Sequence, residues 1–220
     1  MDISISLDPA AGKDLEQYVD FLNTQQDVLV HLDVMDGQFV PRESVTHEEF
    51  VYVLENSVHP IDAHFMVEKP DFSIWQFLPC LSIVEKLRSI TFHIEALAGK
   101  AGFQLLKKIK RFGIEAGIAI DLPTEIEAVD RELLENSDVI TIMSVKCGAS
   151  GQKNNAEEMQ KRLRYVTENF PKARLIVDGG INPENIKLAK NAGAHTAVVG
   201  GYAYGAEDRA VAIDELKAIS

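Results

Sequence analysis

The sequence predicts an α/β barrel: eight parallel strands, each followed by a helix, in one domain spanning residues 1–220. Three observations predict it. Short β-branched runs recur eight times, stretches with helical apolar spacing fill the gaps, and no Pro/Ser-rich linker or charge block divides the 220 residues.

The first run, residues 3–7, precedes a helical stripe of Leu15, Tyr18, Val19 and Leu22. The second, 28–35, leads to Thr46, which can cap a helix with Glu49 as its capping-box partner. The third, 61–67, is followed by FSIWQFLPCL, which reads either as a helix buried against the barrel or as a protein interface. The fourth, 90–96, precedes Leu105, Leu106, Ile109 and Phe112, and the fifth, 116–122, precedes Ile126, Val129 and Leu133. The sixth, 139–145, precedes Met159, Leu163 and Val166. After the seventh, 173–178, Asn182 suits a cap, Pro183 a first helical position, and Gly193 a stop after the segment 184–191. The eighth, 196–200, precedes Val211, Ile213 and Leu216. The runs are continuously apolar rather than strictly alternating, as in strands covered on both faces. A doubly wound open sheet would want a glycine-rich dinucleotide fingerprint after the first strand, and Ser6-Leu7-Asp8-Pro9 is not one.

Composition excludes several classes. At 46% hydrophobic and 25% charged residues the chain is globular, not disordered or fibrous. Its net charge of −12 argues against a nucleic-acid or anionic-membrane partner, so an anionic ligand must be held locally. Cys80 and Cys147 form no CxxC pair or secreted disulfide framework, which suits a reducing compartment. The start MDISISLDPA has neither a basic flank nor a long apolar stretch, and a soluble, cytoplasmic protein is expected.

His31 and Asp33, two apart on one strand, share a face. His64 and Asp178 also fall near the ends of their runs, at the face where such barrels carry active sites. One His or Asp at a strand end is ordinarily a capping or hydrogen-bonded residue, but two imidazoles and two carboxylates together suit a divalent transition metal. His93 and Glu95 read as supporting or structural residues. Gly148 and Gly151, Gly179 and Gly180, and Gly200 and Gly201 follow the last three strands, where they serve either tight turns or a phosphate site.

HLDVMDGQFVP (31–41), DAHFMV (62–67), ITFHIEA (90–96) and VDGGI (177–181), in this order, resemble the ribulose-phosphate 3-epimerase family over nearly the whole chain. The resemblance implies a TIM barrel whose two His and two Asp, here His31, Asp33, His64 and Asp178, hold one divalent metal. Zinc, iron, manganese or cobalt would suit such ligands. It implies further that Asp33 and Asp178 act as acid and base on opposite faces of a ketose phosphate, most simply D-ribulose 5-phosphate, through an enediolate stabilised by the metal. The family's first-strand serine maps to Ser6, with Ser4 as the other choice, and its methionines map to Met35, Met66 and Met143. Together with His64 and Gly148, Ala149, Ser150, Gly151, Gly179, Gly180, Gly200 and Gly201, these form the implied substrate site. A homo-oligomer is implied as well.

The chain departs from the family at several places. Cys147 to Gln152 replaces a Pro-Gly-Phe-Gly-Gly-Gln run, Arg42 stands where asparagine is usual, Gly201 takes the place of a serine, and SIVEKLRS (82–89) replaces a Gly-Ala turn. These changes motivate two alternatives: epimerisation of another ketose phosphate such as D-allulose 6-phosphate, and a catalytically silent sugar-phosphate-binding barrel. The DxKxxD pattern of related synthases and decarboxylases is absent from IDAHFMVEKPD.

Overall fold

The computed structural model describes residues 1–78, 85–148 and 151–220. Strands β1 (Asp2–Ser6), β2 (Leu29–Met35), β3 (Ile61–Met66), β4 (Leu87–His93), β5 (Glu115–Ile120), β6 (Val139–Met143), β7 (Arg174–Asp178) and β8 (Thr196–Val199) pair in parallel in chain order. β8 pairs back onto β1 and closes the barrel. Around it lie α1 (Leu15–Asn23), α2 (His47–Asn56), α3 (Pro70–Phe77), α4 (Gly99–Lys110), α5 (Arg131–Asn136), α6 (Ala156–Asn169), α7 (Ile186–Asn191), α8 (Gly201–Tyr204) and α9 (Arg209–Ile219). This is the TIM barrel that the sequence predicts.

The apolar runs conceal an alternation. Ile5, Leu32, Phe65, Phe92, Ile118, Ile142, Val177 and Val199 join the helix faces in the main core. Their neighbours point the other way and make the inner wall much more polar. At its N-terminal end Arg174 forks onto Asp62 at 2.8 and 3.2 Å and reaches Glu115 at 2.7 Å, while Ser89 donates to Asp62. A paired ionic plug thus fills one end of the barrel, and the other end is left for chemistry.

Several boundaries differ from expectation. β4 starts at Leu87, inside the altered SIVEKLRS segment, and stops at His93 because the His93 carbonyl accepts the Ala96 and Leu97 amides in a turn. The stripe Ile126, Val129, Leu133 is not one helix: Ile126 lies on a 3-10 turn, and the Asp130 carboxylate then caps α5 afresh. Phe112 falls beyond α4 and packs on Trp75. In α9, Ile213 and Leu216 are buried but Val211 is 63% exposed, since residues two apart on a helix diverge. The Asn182 carbonyl and side chain do open the turn before α7, whose regular helix begins at Ile186. The Thr46–Glu49 capping box forms as expected, with bonds of 3.1 and 2.8 Å. Within FSIWQFLPCL, α3 buries Ile74 and sets Phe77 against Phe50 and Phe65, so the described part is a helix packed on the barrel; 79–81, with Cys80, lie outside the described residues. No helix among the described residues is long and apolar enough to cross a membrane.

Candidate active site

β2 delivers His31, Asp33 and Met35 to the inner wall at the C-terminal end of the barrel. Register then sets His64 of β3 beside Asp33, and Met66 beside Met35. Asp178 ends β7 with Met143 of β6 as its neighbour. The four candidate ligands therefore converge, and one donor atom from each lies within 4.8 Å of all the others.

Their spacing fits an ion. Donors sharing a transition metal at about 2.1 Å stand roughly 3.0–3.4 Å apart. His31 Nε2 to Asp33 Oδ1 is 3.3 Å, His64 Nδ1 to Asp33 Oδ1 is 3.3 Å, and His64 Nδ1 to Asp178 Oδ2 is 3.4 Å, with His31 to Asp178 longer at 3.7 Å. Among the described residues, His31 Nε2, Asp33 Oδ1 and His64 Nδ1 are buried without a hydrogen-bond partner. Three orphaned donor atoms facing one point are costly unless a cation or protons fill it. Burial pushes both imidazoles toward the neutral form, but the adjoining carboxylates outweigh it and raise both, His64 to about 9. Burial likewise opposes ionisation of Asp33, yet His31 and His64 hold it well below the usual carboxylate range.

The surrounding residues set the orientation of this cage. Ser6 receives the Asp8 amide at 3.2 Å and donates to Asp33 Oδ2 at 2.8 Å. The Ser44 hydroxyl donates to the Asp33 carbonyl and accepts the Met35 amide, clasping the end of β2. Ser144 donates to the carbonyls of Asp178 and Gly179, and the Asn154 amide also donates to the latter. Gly179 takes φ +117°, and a Cβ there would lie 2.5 Å from Val145, so this turn requires glycine.

Above the cage opens a cleft of about 270 Å³. Asp33 and Asp178 border it, as do Ser6, Met35, Met66, Met143, Gly148, Gly151, Gly179, Gly180, Gly200 and Gly201. His31 and His64 lie beneath it in the wall, and Ala149 and Ser150 lie outside the described residues. Met35, Met66 and Met143 cluster with Val40 and Cys147 into an apolar collar. Asp8, Arg42 and Lys146 also line the cleft. Arg42 ion-pairs with Asp8 and sits 3.5 Å from Met35 Sδ. Burial, with the Asp33 charge second, raises the Asp8 pKa, and Arg42 opposes both. Asp8 could not be read from strand alternation, because β1 ends at Ser6 and Asp8 opens a 3-10 turn beyond it.

A parallel barrel with a buried His₂Asp₂ cage at its C-terminal face is a barrel enzyme with a candidate divalent-metal centre. The model of the ribulose-phosphate 3 epimerase family matches residues 2–204, and the chain belongs to that family of metal-dependent isomerases. It is 34% identical over 195 residues to the ribulose-phosphate 3-epimerase of Aquifex aeolicus, covering 87% of this chain and 84% of that one. To the Methanocaldococcus jannaschii ribulose-phosphate 3-epimerase it is 32% identical over 190 residues, covering 85% and 77%. Among solved structures, 3-hexulose-6-phosphate synthase from Salmonella typhimurium superposes with TM-score 0.65 at 17% identity, covering 100% of this chain and 98% of that one. Orotidine 5'-monophosphate decarboxylase from Sulfolobus solfataricus gives 0.65 at 13%, covering 99% and 96%. These two share the fold.

Proposed function

We propose that this epimerase inverts C3 of a ketose phosphate, interconverting D-ribulose 5-phosphate and D-xylulose 5-phosphate by proton transfer between two carboxylates. One observation carries the reading: Asp33 and Asp178 both border the cleft, yet reach it from β2 and β7, on either side of β1 and β8. Inversion beside a ketone needs a base on one face and an acid on the other, and a single carboxylate could return the proton only to the face it came from. Each aspartate keeps one oxygen in the cage, Asp33 Oδ1 and Asp178 Oδ2, which leaves its second oxygen for the substrate proton. Ser6 steadies that second oxygen on Asp33.

His31, Asp33, His64 and Asp178 would hold a zinc, iron, manganese or cobalt ion, whose charge would polarise the ketone and favour the enediolate. The collar of Met35, Met66 and Met143 limits water around the reacting carbon. Peptide N–H groups at Gly179, Gly180, Gly200 and Gly201 are suited to the phosphate, with Gly148 and Gly151 also on the cleft wall. Arg42 and Lys146 supply positive charge along a cleft that otherwise carries three carboxylates, which supports an anionic substrate.

A second reading, the same inversion on a six-carbon substrate such as D-allulose 6-phosphate, is favoured by Arg42, which stands where the family usually has asparagine, lines the cleft and ion-pairs with Asp8. Incubating metal-loaded protein with each sugar phosphate in heavy water, while following C3 exchange and product, tests both. Exchange and xylulose 5-phosphate formation are expected in the wild type, with turnover falling about 10²–10⁴-fold in Asp178→Asn. Exchange with the six-carbon sugar alone would favour the second reading. Binding of both sugars without exchange would overturn the epimerase in favour of a silent barrel.

A further inference from the structure

Behind the cage stand His93 and Glu95, which the proton transfer does not use. His64 turns Nδ1 toward Asp33 and Asp178, so a metal held at Nδ1 leaves the ring proton on Nε2. That Nε2 lies 3.0 Å from Nε2 of the buried His93. Two N–H groups cannot face each other, so His93 accepts there and bears its own proton on Nδ1. His93 Nδ1 is in turn 3.0 Å from Glu95 Oε2.

The other Glu95 oxygen is also committed. Oε1 accepts the Thr124 hydroxyl at 2.5 Å and the Asp121 amide at 2.9 Å. Asp121 Oδ1 then accepts the amides of Leu122 and Cys147 at 2.8 and 2.9 Å, and Cys147 opens the loop stretch that lines the cleft. Buried Arg162 braces this platform by donating to the carbonyls of Met143, Asp121 and Thr124.

We infer that Glu95 is a positioning residue for both halves of the site: through His93 it fixes the proton placement and ring orientation of His64, and through Asp121 it anchors the loop that begins at Cys147. This rests on the reading of His31, Asp33, His64 and Asp178 as metal ligands. A carboxylate accepts at both oxygens, whereas glutamine accepts at one and donates at the other. In Glu95→Gln, a carbonyl turned to Asp121 and Thr124 leaves the amide N–H facing His93 Nδ1. His93 must then move its proton to Nε2, where it confronts the His64 N–H and drives the ligand ring out of place. A carbonyl turned to His93 instead sets N–H against N–H at Asp121 and loosens the loop.

Chelator competition with Zn²⁺ on wild type and Glu95→Gln, with melting of the metal-free proteins as a fold control, tests this. The variant is expected to bind Zn²⁺ about 10–100-fold more weakly. Side-chain ¹⁵N spectra of wild-type protein labelled at histidine are expected to show His93 protonated on Nδ1 and His64 on Nε2. A residue that merely fills space would lower the melting temperature and leave the metal affinity unchanged. A folded variant with both wild-type Zn²⁺ affinity and wild-type KM for the sugar phosphate overturns the inference, and so does His93 protonated on Nε2 in the metal-loaded wild type, a readout that needs no variant. If the wild type itself binds no Zn²⁺, Mn²⁺, Fe²⁺ or Co²⁺, the metal reading beneath the inference fails instead.

Discussion

At the scale of single residues, the oxygens of Asp33 have separate tasks. Oδ1 faces His31 and His64 at 3.3 Å, while Oδ2 accepts one hydrogen bond from Ser6. Removing that hydroxyl should therefore disturb proton transfer much more than ligand binding at the cage. A hydrogen bond to a charged acceptor contributes about 1.5–3 kcal/mol, so Ser6→Ala should lower kcat/KM by roughly 10–100-fold. Zn²⁺ affinity should change less than threefold, because Oδ1 keeps both of its imidazole neighbours. Steady-state kinetics beside chelator competition separates the two quantities. Equal losses in both would mean that Ser6 acts on the cage as a whole and not on the oxygen assigned to the proton.

At the scale of elements, the loop after β6 is shaped by one glycine. Gly148 has φ +86°, and a Cβ there would stand 2.4 Å from Cβ of Val40 in the loop after β2. Gly148→Ala adds a left-handed penalty of about 1–2 kcal/mol to that clash, and the loop can escape both by lifting off the cleft. KM for the sugar phosphate should rise about tenfold or more with little change in melting temperature. Gly148→Ala/Val40→Ala should recover only part of the loss, since the backbone term remains; an unchanged KM in the single variant would show that the loop does not meet the substrate. The elements themselves were largely legible, because strand runs and helical stripes follow the two periods of 2 and 3.6 that burial imposes. The convergence of His31, Asp33, His64 and Asp178, the candidate ligands, was legible for the same reason, each being a polar residue in an otherwise apolar run. The ends of β4 and α5 were not. They depend on the His93 carbonyl turning over Ala96 and Leu97 and on the cap at Asp130, local hydrogen bonds that apolar patterning does not encode. The Glu95–Asp121–Cys147 chain was hidden too, since it joins residues 26 positions apart at both links through backbone amides that every residue possesses.

At the scale of the molecule, the barrel carries charge at both ends but balances it differently. The N-terminal end is paired internally, with Arg174 between Asp62 and Glu115. The C-terminal end has an incomplete set of partners and depends on what is bound there. In the metal-free protein, His31 and His64 hold protons more firmly than a free histidine, against burial, because Asp33 and Asp178 face them. A pKa raised on folding stabilises the native state fully below the unfolded value of 6.5, and that contribution is lost as pH climbs through the folded value of about 9. The metal-free protein should lose up to about 1.4 kcal/mol per pH unit across this window from His64 alone, a fall in melting temperature of about 7–14 °C over the whole window for a chain of this size. With metal the sign reverses: the imidazoles must be deprotonated to bind it, so affinity, and with it stability, rises over the same range. The net charge of −12 repels itself in both forms, and the difference between the two melting curves removes that shared contribution. Scanning calorimetry from pH 6 to 9 should therefore show metal-free and metal-loaded protein diverging as pH rises. Parallel curves would mean that protons and metal do not compete for His31 and His64, and the cage would lose its assignment as the metal centre.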